Sequence, residues 1–535
     1  MPTPLLQRLN TPTRAMGAGA LLALSMPPLG VFPLAWIALV PLMVRLERLR
    51  NGWTLFREAY VAFLFMAVGS GFWMLFHEGM EAALFAGLGL LLLPLPHAAA
   101  FGLASLARAR HGLLIGVVAL VLNVLTVEFL VSHLPGGLPW LLLGHTQASA
   151  LALNQIADLG GVGLLSLFVL VVNVFGYVFV RTARRPGLMP GGRTLLVLLA
   201  AAFLSGIAVY GEERRAQLPP SEDELHVSVV QPAEPPARWG DATDWQRVER
   251  LAELSDRGDR ADHSPPVVRS VSARPAPRLL VWPEAALPPS PDASAQERLY
   301  RRLALWSSDR QSALLTGALV QPSPGAPLRN AAVYLQRGRP VQEYTKVHLT
   351  PLVEQLPFFG RSPALEPMTL PTTSRQFAQG GTPVVFDGEG YRIGTVIGFE
   401  SLRGDHVRQF VRDGADLVIA LSDGGWWRSA HAARQHLAMT RLRAIETRRA
   451  VVMANASGTS ALVHPDGVVV PLAEWMEEDV AVRMVPLQSG VTVYTRLGDW
   501  PGRFAMFGSG WFLLTTLLLG LLRKPKRATA NPEPS

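Results

Sequence analysis

Three short polar segments follow strand-like runs, and they hold the side chains best placed to do chemistry. Val281-Trp282-Pro283-Glu284 sets a carboxylate just past one run, and Tyr344-Thr345-Lys346-Val347-His348-Leu349 sets a lysine past another. Gly398-Phe399-Glu400-Ser401 follows a third, at 393–397. In open α/β sheets the carboxyl ends of strands are where loops converge over a rigid base and ligands bind. Singly, a strand-end Glu is more often an ion-pair or cap residue and a Lys a solvated face; together the three are more informative. The chain has no Cys, which excludes disulfides, thiolate metal sites and cysteine nucleophiles.

The elements that would position these residues are legible from period and length. Strand candidates lie at 225–231, 279–282, 314–319, 331–336, 392–397, 417–421 and 451–454, each short and rich in Val, Leu or Ile. Helical patterns at 242–257, 294–308 and 430–448 fall between several of them, so strands and helices alternate as in a layered α/β domain. The Pro/Ser/Arg-rich stretch 263–278 has no periodicity and reads as a surface insertion. About 290 residues are ample for one core.

The rest of the chain is different in kind. Of 535 residues 49% are hydrophobic and 17% charged, with a mean hydropathy of +0.24, which marks a membrane protein. Apolar runs able to cross about 30 Å of hydrocarbon lie at 55–76, 82–106, 112–133, 161–180, 194–211 and 505–522. Residues 15–27 and 31–44 are short apolar stretches split by Pro27-Pro28-Leu29-Gly30 and predict a helical hairpin rather than a cleaved signal. The expected total is about eight spans: seven in a membrane domain at 1–211, an outer domain at 212–504, a last span at 505–522 and a basic tail at 523–535. With the N-terminus inside, the inner loops and tail hold 16 Lys and Arg, while the outer loops at 28–30, 77–81 and 134–160 hold none. The positive-inside rule then puts 212–504 outside, in the periplasm of a bacterium-like cell. The net charge of +8 is therefore topological, and nucleic acid is rejected as a partner.

One outer loop, 134–160, is apolar yet irregular, with Pro135-Gly136-Gly137-Leu138-Pro139-Trp140 at its start and Glu128 before it inside a span. Two readings stay open. Either Trp140 sits at headgroup level and Glu128 is satisfied by a neighbouring helix, or the carboxylate and the loop support a lipid-entry site under the outer domain.

Glu284, Lys346 and the segment at 398 resemble the Glu-Lys-Cys site of the nitrilase (carbon–nitrogen hydrolase) superfamily, and the whole chain resembles the bacterial apolipoprotein N-acyltransferases. The resemblance runs through Pro139-Trp140, Gly144, Gln147, Gln155, Asp158, Gly160 and Gly163 in the membrane part. In the outer domain it runs through Trp282-Pro283-Glu284, Lys346-x-His348-Leu349-x-Pro351 with Glu354, Phe377, Gly380, Trp426-Trp427, and His436 to Glu446. It implies a polytopic α-helical protein of the bacterial inner membrane carrying a periplasmic αββα sandwich. The implied reaction moves an acyl chain from a phospholipid, through an enzyme thioester, to the α-amine of a lipoprotein's N-terminal diacylglyceryl cysteine, with no metal or cofactor and as a monomer. Glu284 would be the general base, Lys346 the oxyanion partner, and Glu354 would orient Lys346 or the amine. The loops at Phe358-Phe359 and Trp426-Trp427 would hold acyl chains or simply pack.

Where the family pattern reads Cys-Tyr-Glu, this chain reads Gly398-Phe399-Glu400. No thioester can form at a glycine, and Ser401 would need both direction and a strong base to replace the thiol. Two readings remain: an acyltransferase using another nucleophile or direct transfer, and a catalytically silent member that binds lipid or lipoprotein N-termini. An ordinary amidase of this superfamily fails because it too needs the thiol.

Overall fold

The computed structural model describes residues 11–49, 51–76, 80–184, 191–219, 221, 223–234, 245–261, 277–290, 292–351, 354 and 377–522. Most of the insertion at 263–278, Phe358-Phe359 and the tail at 523–535 lie outside the described residues, as does the Trp426 side chain.

Among the described residues six helices are long and apolar enough to cross a membrane: Gly52–Phe76, Ala86–His111, Leu113–His133, Asn154–Arg184, Gly192–Ala216 and Trp500–Leu519. The first 48 residues add helix Thr11–Ser25, a turn through Pro27-Pro28, and a second arm broken between Ala35–Ala38 and Val40–Arg48. Pro41 has no N–H to continue a helix, and Asn173 patches the break by accepting from the Leu39 amide (2.9 Å) and donating to the Ala35 carbonyl (2.7 Å). The fifth long helix runs to Ala216, a turn beyond the expected end of the membrane part.

The outer domain is an αββα sandwich with twelve strands among the described residues: β1 Glu224–Gln231, β2 Arg278–Val281, β3 Ser312–Val320, β4 Arg329–Leu335, β5 Gln342–Thr345, β6 Val385–Asp387, β7 Arg392–Ile397, β8 Leu417–Ser422, β9 Ala450–Asn455, β10 Ser460–Val463, β11 Val469–Ala473 and β12 Asp479–Pro486. They form two six-stranded sheets, ordered β12-β1-β2-β3-β4-β5 and β11-β10-β9-β8-β7-β6. Each sheet has three parallel strands, β1-β2-β3 and β7-β8-β9, with antiparallel strands at the flanks. Val227, Leu279, Leu315 and Tyr334 of the first sheet meet Ile393, Val396, Ile419 and Met453 of the second in one core. The parallel strands are covered on both faces, which is why they read as near-continuous apolar runs. Helices Trp245–Ala261 and Ala293–Ser308 cover the outer face of the first sheet.

Helix Ala430–Thr447 covers the second sheet and has the membrane helices on its other side. Met439, Leu442 and Ile445 share a buried cluster with Leu143, Ile156 and Leu165 of the membrane part. Polar contacts fix this junction. Asp158 accepts from Arg448 (2.9 Å), Arg214 (2.9 Å) and Tyr210 (2.7 Å), and Gln155 accepts from Arg448 at 2.6 Å. Gly161 has φ 68 and a Cβ there would lie 2.4 Å from the Tyr494 ring, so only glycine lets the two parts approach. The Gln155, Asp158, Gly160 and Gly163 pattern of the sequence is thus a docking surface.

Candidate active site

Glu284, Lys346 and Gly398 come from three strand ends that the two facing sheets bring together. Glu284 lies three residues past β2, and Ala285 after it takes φ 52, a left-handed conformation uncommon for a non-glycine residue. Lys346 directly follows β5 and Gly398 directly follows β7. Glu284 and Lys346 are buried, with 4% and 1% of their surfaces exposed. The Lys346 ammonium is 2.7 Å from Glu354 Oε2, 3.4 Å from Glu284 Oε1 and 3.2 Å from Thr350 Oγ1.

Both charged groups face Gly398. A Cβ built on that residue would lie 3.1 Å from Glu284 Oε2, 3.3 Å from Glu284 Oε1 and 3.2 Å from Lys346 Nζ. Its φ of +54 is one that side-chain-bearing residues rarely adopt. Burial pushes the Glu284 carboxyl up to about 7, against the opposing pull of Lys346. Near neutrality such a group can both take and return a proton. Burial alone would lower Lys346, but Glu354 and Glu284 outweigh it and hold the ammonium above its ordinary value.

Glu400 joins the two sheets beneath this pair. It accepts from the Val347 and His348 amides at 2.7 and 2.9 Å, from the Ile397 amide at 2.9 Å and from the Tyr344 hydroxyl at 2.8 Å. Burial would raise its carboxyl, yet His406, the His348 amide and Lys346 overcome that and hold it at about 2. A carboxylate with several donors is a fixed anchor, and this one ties the loop of Lys346 to the turn of Gly398.

Several residues at the site were not singled out from the sequence. Asn330, at the start of β4, donates to both Glu284 Oε1 and Glu354 Oε1 at 2.8 Å and keeps the two carboxylates apart. The Asp423 amide, just past β8, donates to Glu284 Oε2 at 3.1 Å. A lone Asn at a strand start carries no periodic signal; Asp423 lies two residues past the expected strand 417–421 and was open to the same reasoning as Glu284.

The other candidates stand apart from the charged pair. Trp140 is buried (2% exposed), and its indole N–H is used inside the protein. It donates to Gln435 Oε1 at 3.0 Å, as does Trp73, while Gln435 Nε2 donates to the Pro27 carbonyl at 2.9 Å. Trp427 packs in the same cluster, its ring 5.8 Å from those of Trp73 and Trp140 and 4.8 Å from His436. Phe399 is buried in the shared membrane-side cluster. Glu128 accepts from the Leu143 amide of the irregular loop at 2.7 Å and lies 3.5 Å from His97, so loop and neighbouring helix both contribute. Ser401 faces helix Ala430–Thr447, bonding the Gly398 carbonyl (2.9 Å), His436 Nε2 (2.7 Å) and Thr440 Oγ1 (3.2 Å). No group of three or more His, Asp or Glu able to hold a metal occurs among the described residues.

Residues 226–493 match the carbon-nitrogen hydrolase model, and residues 18–175 match the model of the apolipoprotein N-acyltransferase N-terminal domain. The chain belongs to the apolipoprotein N-acyltransferase branch of the carbon–nitrogen hydrolase family. It is 27% identical over 516 residues to the apolipoprotein N-acyltransferase of Chlorobaculum tepidum, covering 90% of this chain and 92% of that one. It is 28% identical to that of Geobacter metallireducens, covering 91% of each, and 28% identical to that of Azotobacter vinelandii, covering 97% and 96%. Among solved structures, an amidase from Nesterenkonia is similar at 18% identity and a TM-score of 0.36, covering 55% of this chain and 97% of the amidase. A Saccharomyces cerevisiae member of the nitrilase superfamily gives 16% and 0.34, covering 49% and 90%.

Proposed function

We propose that the protein is an apolipoprotein N-acyltransferase, moving an acyl chain from a phospholipid to the α-amine of a diacylglyceryl cysteine at a lipoprotein's N-terminus. The observation that carries this is the convergence of Glu284 and Lys346 on one point above Gly398, at 3.1 to 3.3 Å. Acyl transfer needs a base for the attacking and leaving groups and a cation for the tetrahedral oxyanion, and these two side chains supply one of each. Glu354 and Asn330 hold them in register. The membrane supplies the donor, since the outer domain rests directly on apolar helices. The basic residues of the inner loops orient the chain with the outer domain in the periplasm, in the inner membrane, and the protein acts as a monomer.

The test is mass spectrometry of lipoprotein N-terminal peptides from cells in which this is the sole such protein. Triacylated N-termini are expected. Uniformly free α-amines would favour the second reading, a silent member that binds lipid or lipoprotein N-termini, for which the absence of a thiol at Gly398 is the specific support. An alkaline phosphatase fused after about residue 300 is expected to be active; an inactive fusion, with a cytoplasmic reporter active at the same point, would reverse the topology.

A further inference from the structure

We infer that the acceptor amine itself attacks the phospholipid ester in the space above Gly398, in a single displacement that passes through no acyl-enzyme. This rests on the function proposed above and adds the order of events at the same site. The position a Cβ would take at residue 398 is 3.1 Å from one Glu284 oxygen and 3.2 Å from the Lys346 nitrogen. The base and the ammonium therefore flank the direction in which a side chain would leave Gly398, and glycine places no side-chain atom between them.

The steps balance without a protein nucleophile. A free α-amine has a pKa of about 8, and a neighbouring ammonium disfavours its protonated form, so Lys346 presents it as the nucleophile. Its nitrogen bonds to the ester carbonyl carbon, and the electron pair displaced onto the carbonyl oxygen is met by Lys346. Glu284 takes one proton from that nitrogen. As the oxyanion collapses, the bond from carbonyl carbon to glycerol oxygen breaks, and Glu284 passes the proton to that oxygen. The products are an amide and a lysophospholipid, and the enzyme ends in its starting protonation state.

The hydroxyl three residues past Gly398 is turned to other work. Ser401 lies within bonding distance of the Gly398 carbonyl, His436 and Thr440 on the side of helix Ala430–Thr447, and none of its bonds is to Glu284 or Lys346. His436, pressed down to about 3 by burial, is a neutral partner for that hydroxyl. An acyl-serine is therefore the rival that the test must detect.

The full-length protein is incubated in detergent with phosphatidylethanolamine alone and then with a diacylglyceryl-cysteine peptide added. Expected are no acyl adduct on the intact protein by mass spectrometry, lysophospholipid release that requires the peptide, and intersecting lines when both substrates are varied. Gly398→Cys serves as the positive control, expected to give a hydroxylamine-labile acyl adduct with phospholipid alone. Gly398→Ala fills the space and is expected to cut transfer by about a hundredfold or more, the scale of a misplaced reacting group. An adduct on Ser401 or any other residue of the unaltered protein, parallel-line kinetics, or full transfer by folded Gly398→Ala would overturn the single displacement while leaving the acyltransferase function intact. No N-acylated peptide under any condition would overturn both.

Discussion

Glu284 and Glu446 are two buried glutamates whose carboxyls burial raises to the same level, about 7, and they are built for different ends. Glu446 sits at the junction between the outer domain and the membrane helices, 2.9 Å from Arg443 Nη2 and 3.0 Å from the Val162 amide. Its second oxygen has no hydrogen-bonding partner among the described residues, and the residue lines a small cavity with Glu128, Gly404, Arg443 and Asp499. Glu284 instead shares its face with an ammonium: its oxygens and Lys346 Nζ converge on the Cβ position of Gly398, at 3.1 to 3.3 Å. A raised carboxyl is what desolvation does to any buried acid. Convergence with an ammonium on the position where the family carries its nucleophile is what separates a base from a structural acid.

Glu284→Gln should break the comparison most sharply. Loss of a general base costs about 10²–10⁴-fold in rate, read as N-acylated peptide formed per minute, while the neutral isostere keeps the melting temperature. Next is Arg448→Met, which strips Asp158 of a buried partner. Breaking such a pair costs about 3–5 kcal/mol, seen as a lower thermal midpoint in detergent, with the rate per folded molecule unchanged.

The pH dependence should be milder and should separate the two acids. Glu284 works as a base only when ionised, so log(kcat/KM) should climb with a slope of about one as pH rises and bend near 7. For stability the sign is opposite. Both glutamates have folded values raised above the unfolded one of about 4.3, so each contributes stability that is full below that value and is lost as pH rises through about 7. Glu446→Gln, the smallest effect on catalysis, should leave the rate and its pH profile unchanged while removing part of the loss of stability between those limits. If it slowed transfer as much as Glu284→Gln, the distinction drawn from the convergence on Gly398 would fail.

The hydropathy of the spans and the apolar runs of the central strands were legible because burial on both sides leaves a continuous signal in the chain. The flanking strands β12 and β6 were not. β12, Asp479–Pro486, puts Glu478 and Asp479 at its start and an exposed Arg483 in its middle, and β6 has only three residues. At the site, Glu284 and Lys346 stood out because each ends a recognisable strand. Asn330 did not, since its importance comes from two carboxylates reached at 46 and 24 residues' distance along the chain. For Trp140 the sequence left a headgroup position and a lipid-entry role open; its hydrogen-bond partner, Gln435, is 295 residues away.

The contacts of Gln435 bear on how this architecture can be recombined. One side-chain amide holds Trp73, Trp140 and the Pro27 carbonyl, and so stitches three membrane segments to a helix that the sequence assigns to the outer domain. A chimera that exchanges residues 212–504 with a relative's would strand the buried indole N–H of Trp140, and leave that of Trp73 with the Ser70 carbonyl alone, unless the incoming helix offers an acceptor at the same height; an orphaned donor costs about 1–3 kcal/mol. The functional module for exchange is therefore the outer domain together with the turn at 27, the end of the helix at 73 and the loop at 140–158, four stretches dispersed along the chain that must be inherited together.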